Sequence, residues 1–267
     1  MKAYGSFFRI RFLGGLQYRA AAIAGMTTQL AWGGLYVLLY KAFYEADASA
    51  FPMTFSQVVD YNWLRQAFLT LLFVWMLDRE TLETISSGAV AYEMVRPTDL
   101  YAMWFTKNVA MRLSRAVLRC IPVLVVAFLL PAPYGLSLPA GAQGLFGFVI
   151  SLFLALGNVV AFIMFLYIAS FFTMNPTGLR VLLLSLTEFL TGGLIPLPFM
   201  PPVLRKILEF SPFGAMMNMP LRAYSGNLAG AELWTGIALQ VFWLLVMGVI
   251  GRIWMGQALR RLQVQGG

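Results

Sequence analysis

The sequence predicts an all-α integral membrane protein, and three observations carry that prediction. Hydrophobic residues make up 60% of the 267 residues and charged residues only 11%, with a mean hydropathy of +0.76. So few charges cannot cover a soluble core of this size. The apolar runs are long and continuous, unlike the short alternating segments of a membrane barrel. Backbone polar groups inside a bilayer must be satisfied within the protein, so such runs are read as helices.

Apolar runs of about 20 residues mark six spans, at 20–43, 62–77, 107–130, 144–172, 179–195 and 233–255. The third carries Arg112, Arg115 and Arg119 in its first half, and the fourth is long enough to tilt. With both termini cytoplasmic, fourteen basic residues lie inside and five outside, the five being Lys41, Arg65, Arg205, Lys206 and Arg222. That asymmetry follows the positive-inside rule. The formal net charge of +8 is scattered over separate loops, which serves anchoring and topology and argues against a nucleic-acid partner.

Residues 1–19 are too interrupted by Arg9, Arg11 and Arg19 for a signal peptide and read as an interfacial helix. Tyr4, Phe8, Phe12 and Leu16 advance in steps of four along one side, with Phe7 beside them and Arg11 intruding. The chain reads as one membrane domain, residues 1–267, with its largest inner loop at 78–103 and its largest outer loop at 196–231.

The inner loop opens on Asp78, Glu80 and Glu83. It continues through a mixed-polarity segment, 84–95, that is expected to form one short helix ending at Arg96-Pro97, because proline disfavours helix in the residue before it. Such a surface helix suits docking to a soluble partner. In the outer loop, Pro201-Pro202 precede "VLRKILEF", whose apolar and charged residues fall on opposite faces, and proline is well placed at a first helical position. Ser211-Pro212 are expected to cap and start a second helix, which ends near Gly226-Asn227. Bent backbone at that depth requires shelter by protein or a water-filled cavity, so the loop reads as a lid or re-entrant hairpin.

Two passages resemble the permease subunits of ABC-2-type exporters. One is "SGAVAYEMVRPTDL", residues 87–100; the other is "TGGLIPLPFMPPVLRKILEFSPFGAMMNMPLRAYSG", residues 191–226. The resemblance implies six spans with a coupling helix over residues 83–97, where Glu83, Gly88, Tyr92, Glu93, Arg96 and Pro97 meet a cytosolic ABC ATPase. It further implies that residues 1–19 pack beside that helix, and that Thr191, Gly192, Pro196, Pro198, Pro212 and Phe213 belong to an outer gate. A second permease subunit, identical or different, would complete the path in a bacterial-type plasma (inner) membrane, for export of a hydrophobic or amphipathic compound. No GxxxxGK[ST] sequence is present, so nucleotide phosphates are not cradled here by that route. ATP and Mg would bind the partner ATPase, and no cofactor is expected in this chain.

Glu188 is the one acid well inside a span, where a carboxylate costs about 2.5–3.5 kcal/mol. It either lines the path or senses a cationic substrate, or it meets a polar group on a neighbouring helix or the second permease. Arg112, Arg115 and Arg119 share one helix face, as lipid-phosphate anchors or as an entry cleft for an anionic or amphipathic substrate. Asn158, Thr187 and Thr191 suit helix–helix hydrogen bonds. An intramembrane enzyme is disfavoured by the absence of histidine, of clustered metal ligands and of paired carboxylates. Cys120, the sole cysteine, offers no intramolecular disulfide. A gradient-driven transporter would show more intramembrane acids and matching broken helices.

Overall fold

The computed structural model describes residues 2–173 and 176–261. These form twelve α-helices and two short 3-10 turns, with no strand. In chain order they are α1 (Lys2–Gly15), α2 (Arg19–Asp47), α3 (Phe55–Ala67), α4 (Leu69–Leu72), α5 (Arg79–Ser86), α6 (Val90–Met94) and α7 (Leu100–Leu129). Then come α8 (Gly141–Ser170), α9 (Pro176–Leu190), α10 (Pro202–Phe210), α11 (Asn218–Tyr224) and α12 (Gly230–Arg261).

Among the described residues, three segments are long and apolar enough to cross a membrane: Arg19–Ala50, Gly141–Ser170 and Gly230–Arg261. The most apolar window of the second is 56% buried against 22% for the other two. Thus α8 is the core helix, while α2 and α12 keep broad apolar faces outward, among them Leu35, Leu38 and Leu39 on α2 and Leu245, Val249 and Ile253 on α12. α12 and α11 pack on α8. Asn158 ties α8 to α12 by donating to the Gln240 carbonyl at 3.0 Å, and Gln240 donates to the carbonyls of Ser151 and Ala215. Asn158 is therefore a helix–helix fastener.

The second predicted span, 62–77, is displaced. Helix α3 begins at Phe55, where Thr54 and Gln57 form a reciprocal capping box, which satisfies two otherwise unpaired backbone donors. It bends at Phe68, continues as α4 to Leu72 and ends there. Every residue from Val58 to Ala67 is buried, including Asp60, Asn62, Arg65 and Gln66. Asp60 kept the start of the helix out of a hydropathy reading, because it faces protein and not lipid. Arg65, counted among the outer charges by sequence, is buried within this helix.

At Gly33, α2 and α3 are in close contact. Asn62 donates to the Gly33 carbonyl at 2.9 Å, and a Cβ at Gly33 would stand 2.5 Å from the Trp63 ring. Gly33→Ala is expected to lower stability by about 1–3 kcal/mol through overpacking, read as a drop in thermal midpoint in detergent.

Further boundaries differ from expectation. Helix α7 starts seven residues before 107, because Asp99 caps it by accepting from the backbone N–H of Tyr101 and Ala102. Helix α9 ends at Leu190, short of 195, and Gly192 follows with φ +82°, a conformation that glycine adopts without penalty. The inner loop holds two helices instead of one, because Gly88 at φ +75° turns the chain between α5 and α6. The second outer helix starts at Asn218, not Pro212. Residues 211–217 are turns, with Ser211 Oγ accepting from the Phe213 N–H at 3.2 Å. Helix α11 is buried throughout, whereas α10 exposes Val203, Ile207 and Phe210.

Candidate functional site

One stripe of α2 presents Gly25, Gln29, Trp32 and Tyr36 at helical spacing. Across from it stand Arg65 and Gln66 of α3, Arg119 of α7, and Glu188 and Gly193 at the end of α9. Together with Phe73 and Trp75 these line a cavity of about 440 Å³, the size of a small-molecule site.

Its polar groups are held but not saturated. The buried Arg65 guanidinium lies 4.3 Å from the Tyr36 ring centroid and donates to the Gly193 carbonyl. Arg119 donates to the Ala21 carbonyl at 3.0 Å and fills the space that a side chain at Gly25 would take, 2.4 Å from the ideal Cβ. Among the described residues the Nε of both arginines has no partner, and neither does either amide atom of Gln29, which is only 4% exposed. Glu188 forms no ion pair among the described residues.

The three arginines of α7 have separate roles. Arg112 is fully buried and donates to the carbonyls of Thr70, Leu71, Phe73 and Met76 at 2.8–3.0 Å. These are the loose acceptors where α4 ends. Arg112 is thus a cap for a broken helix, contrary to either expectation for it. Arg115 reaches Met76 Sδ at 3.8 Å. Only Arg119 enters the cavity.

The expected gate residues divide likewise. The Thr191 hydroxyl donates to the Thr187 carbonyl at 2.7 Å, a bond within its own helix end. Pro196 and Pro198 are buried at a 3-10 turn (Leu197–Phe199), and Gly192 packs close to Leu197. Pro212 and Phe213 lie in the turns before α11, where Phe213 meets Phe162 edge-on.

A second polar cluster sits at the end of the bundle that carries α1, α5 and α6. Lys107 Nζ is 2.7 Å from Asp78 and 3.1 Å from Glu80. Arg11 of α1 forks onto Glu80 at 2.8 and 3.0 Å. The Tyr167 hydroxyl of α8 accepts from the Asp78 N–H at 2.9 Å and donates to Asn108. Helix α1 lies along α7 with Tyr4, Phe7, Phe8, Arg11, Phe12 and Leu16 half-buried. Arg11 therefore intrudes on the apolar face in order to reach Glu80.

The Arg11 hydrogen bond is the largest influence on Glu80 and holds its carboxyl below the ordinary value; burial opposes this and Lys107 adds to it. A depressed carboxyl contributes stability above its ordinary value and loses it as pH falls through the folded value. The α1 clamp should hold from pH 8 to 6 and loosen only in acid, and Glu80→Gln should abolish that step. Spin-label distances between α1 and α7 measure it.

Beyond this cluster the loop faces outward. Glu83, Gly88, Tyr92, Met94, Val95, Arg96 and Pro97 are exposed, Tyr92 by 78% and Val95 by 81%. Glu93 instead turns inward, accepting from Trp104 Nε1 at 2.6 Å, so it fastens the loop. Tyr92, Met94 and Val95 thus place exposed apolar side chains on an otherwise polar loop.

The family described as ABC-2 family transporter protein matches residues 30–266. The chain belongs to the ABC-2 transporter family. No match was found among curated proteins. As an ABC-2 transporter protein, it is a membrane component of a transport system. Sequence reasoning had singled out Arg119 and Glu188 of the cavity but missed Gln29, Arg65 and Gln66. In this ABC-2 protein those three sit within apolar or mixed runs whose burial only the packing reveals.

Proposed function

We propose that this ABC-2 chain is a six-span permease subunit with both termini cytoplasmic. It would work with a separate cytosolic ATPase that binds ATP and Mg, and with a second permease, to export a hydrophobic or amphipathic compound across a bacterial-type plasma membrane. In this reading the helices α2, α3–α4, α7, α8, α9 and α12 are the spans, and the 440 Å³ cavity belongs to the path.

The observation that carries the proposal is the outward loop of Glu83–Pro97, with Tyr92 and Val95 bare, rooted in the Lys107–Asp78–Glu80–Arg11 cluster. Force on α5 and α6 from an ATPase would reach α7 through Lys107 and through the Glu93–Trp104 bond. Helix α7 in turn carries Arg112, which secures α4, and Arg119, which lines the cavity. A loop movement is thereby converted into a rearrangement of the cavity wall. The exposed apolar side of α10 and the turns at 211–217 would cover the outer end.

Affinity purification of the tagged chain from native membranes, with ATPase assayed on what co-purifies, tests this. The expected result is a nucleotide-binding subunit whose activity depends on residues 83–97. A chain reproducibly free of ATPase would overturn the proposal.

A further inference from the structure

We infer that the α2–α3–α7 cavity is built for an acidic amphiphile, a carboxylate or phosphate headgroup on an apolar body, with the headgroup at Arg119. This rests on the export reading for its place in the cycle, and on the cavity alone for its chemistry.

The charges are distributed unevenly along α2. Arg119 packs at Gly25 and Arg65 stacks on Tyr36, eleven residues or about 16 Å apart along the helix. At the Tyr36 end, Arg65 reaches the Gly193 carbonyl, and Glu188 Cγ stands 3.1 Å from the ideal Cβ of the same glycine. That end therefore carries a carboxylate as well as a cation, although the two form no ion pair among the described residues. At the Gly25 end no carboxylate pairs with Arg119 among the described residues and none lines the wall beside it, while Arg115, one helical turn earlier on α7, is a second cation. Arg119 has an unused Nε–H, and the Gln29 amide one helical turn further on is buried with both atoms unpaired.

A buried amide without partners costs about 1–3 kcal/mol, and here it lies on a cavity wall. An acidic headgroup in the cavity would meet the Arg119 guanidinium on its wall, and the buried Gln29 amide, unpaired among the described residues, could turn toward the same headgroup as a second donor. Beyond Gln29 the wall turns aromatic, with Trp32, Tyr36 and Trp75, which suits the apolar body. A cationic amphiphile would place its charge against Arg119, or have to use Glu188 beside Arg65. The donor excess favours the anion.

The test uses the full chain in nanodiscs of zwitterionic lipid with three matched probes: 1-pyrenebutyrate, 1-pyrenebutanol and 1-pyrenebutylammonium. Trp32 and Trp75 serve as energy donors to pyrene. Pyrenebutyrate is expected to bind at least about 10-fold more tightly than the alcohol, the scale of one charge-assisted hydrogen bond. Arg119→Gln should erase that preference and Arg119→Lys should keep part of it. Gln29→Leu should weaken pyrenebutyrate binding while leaving the thermal midpoint unchanged or higher, which separates a ligand role from a structural one. Equal binding of the three probes, a preference for the ammonium, or a preference that survives Arg119→Gln would overturn the inference.

The ATPase complex separates the two readings. Stimulation by all three probes alike sinks the anion preference and leaves export standing. Selective binding of pyrenebutyrate without stimulation sinks export and leaves the anion site standing. Displacement of pyrenebutyrate by phosphatidate supports a membrane lipid as the source of the headgroup, and failure to displace supports a water-borne amphiphile.

Discussion

Arg112→Leu is expected to abolish the folded permease. Among the described residues the guanidinium is the sole side-chain donor to the carbonyls of Thr70, Leu71, Phe73 and Met76, and leucine satisfies none of them. Each buried orphan costs roughly 1–3 kcal/mol, so the total is upwards of about 4 kcal/mol, a large share of the roughly 5–15 kcal/mol that stabilises a typical protein. Arg112→Lys should recover only part, since one ammonium cannot copy a planar fork that meets acceptors in two directions. The measurement is the yield of monodisperse protein in mild detergent together with its thermal midpoint. Near-normal yield and midpoint for Arg112→Leu would mean that the end of α4 does not depend on this cap.

Lys107→Met is expected to produce the second large loss. It would leave Asp78, whose side chain is 11% exposed, as a buried carboxylate without its cation, and breaking such a pair from one side costs about 3–5 kcal/mol. Glu80 would keep Arg11, so the clamp on α1 should weaken and not vanish. The double variant Lys107→Met/Asp78→Asn removes both charges and should regain much of the midpoint. It should not regain transport, because α7 would no longer be tied by charge to the root of α5. Recovery of both properties would show that the cluster is structural ballast without a part in transmission.

How much of this was legible in the sequence depended on what each side chain faces. The helices α2, α8 and α12 were found within a few residues because lipid or core surrounds their apolar runs. Helix α3 was misplaced because Ser56, Gln57 and Asp60 look like loop chemistry until the surrounding structure is seen, and because the chain stays apolar past Leu72, where the helix has already ended. The α7 arginines were recognised as a group, yet their spacing did not reveal that Arg112 serves α4 while Arg119 serves the cavity. That division depends on where α4 stops. Glu188 and Arg119 stood out as intramembrane charges, but Gln29, a lone amide in an apolar helix, gave no signal that it would be left unpaired. The inner loop was readable as an exposed surface segment from its mixed polarity. The inward turn of Glu93 was not, since it requires Trp104 of the next helix.

The central claim is that the bare tip of the inner loop seats on an ATPase. A photo-crosslinking amino acid placed at Tyr92, with a second chain carrying it at the equally exposed Leu138 as control, tests that claim in native membranes. The account predicts a crosslink from position 92 to a nucleotide-binding subunit, dependent on Val95 and Arg96, and none from position 138. Crosslinks from position 92 to lipid alone, or equal capture at both positions, would contradict it.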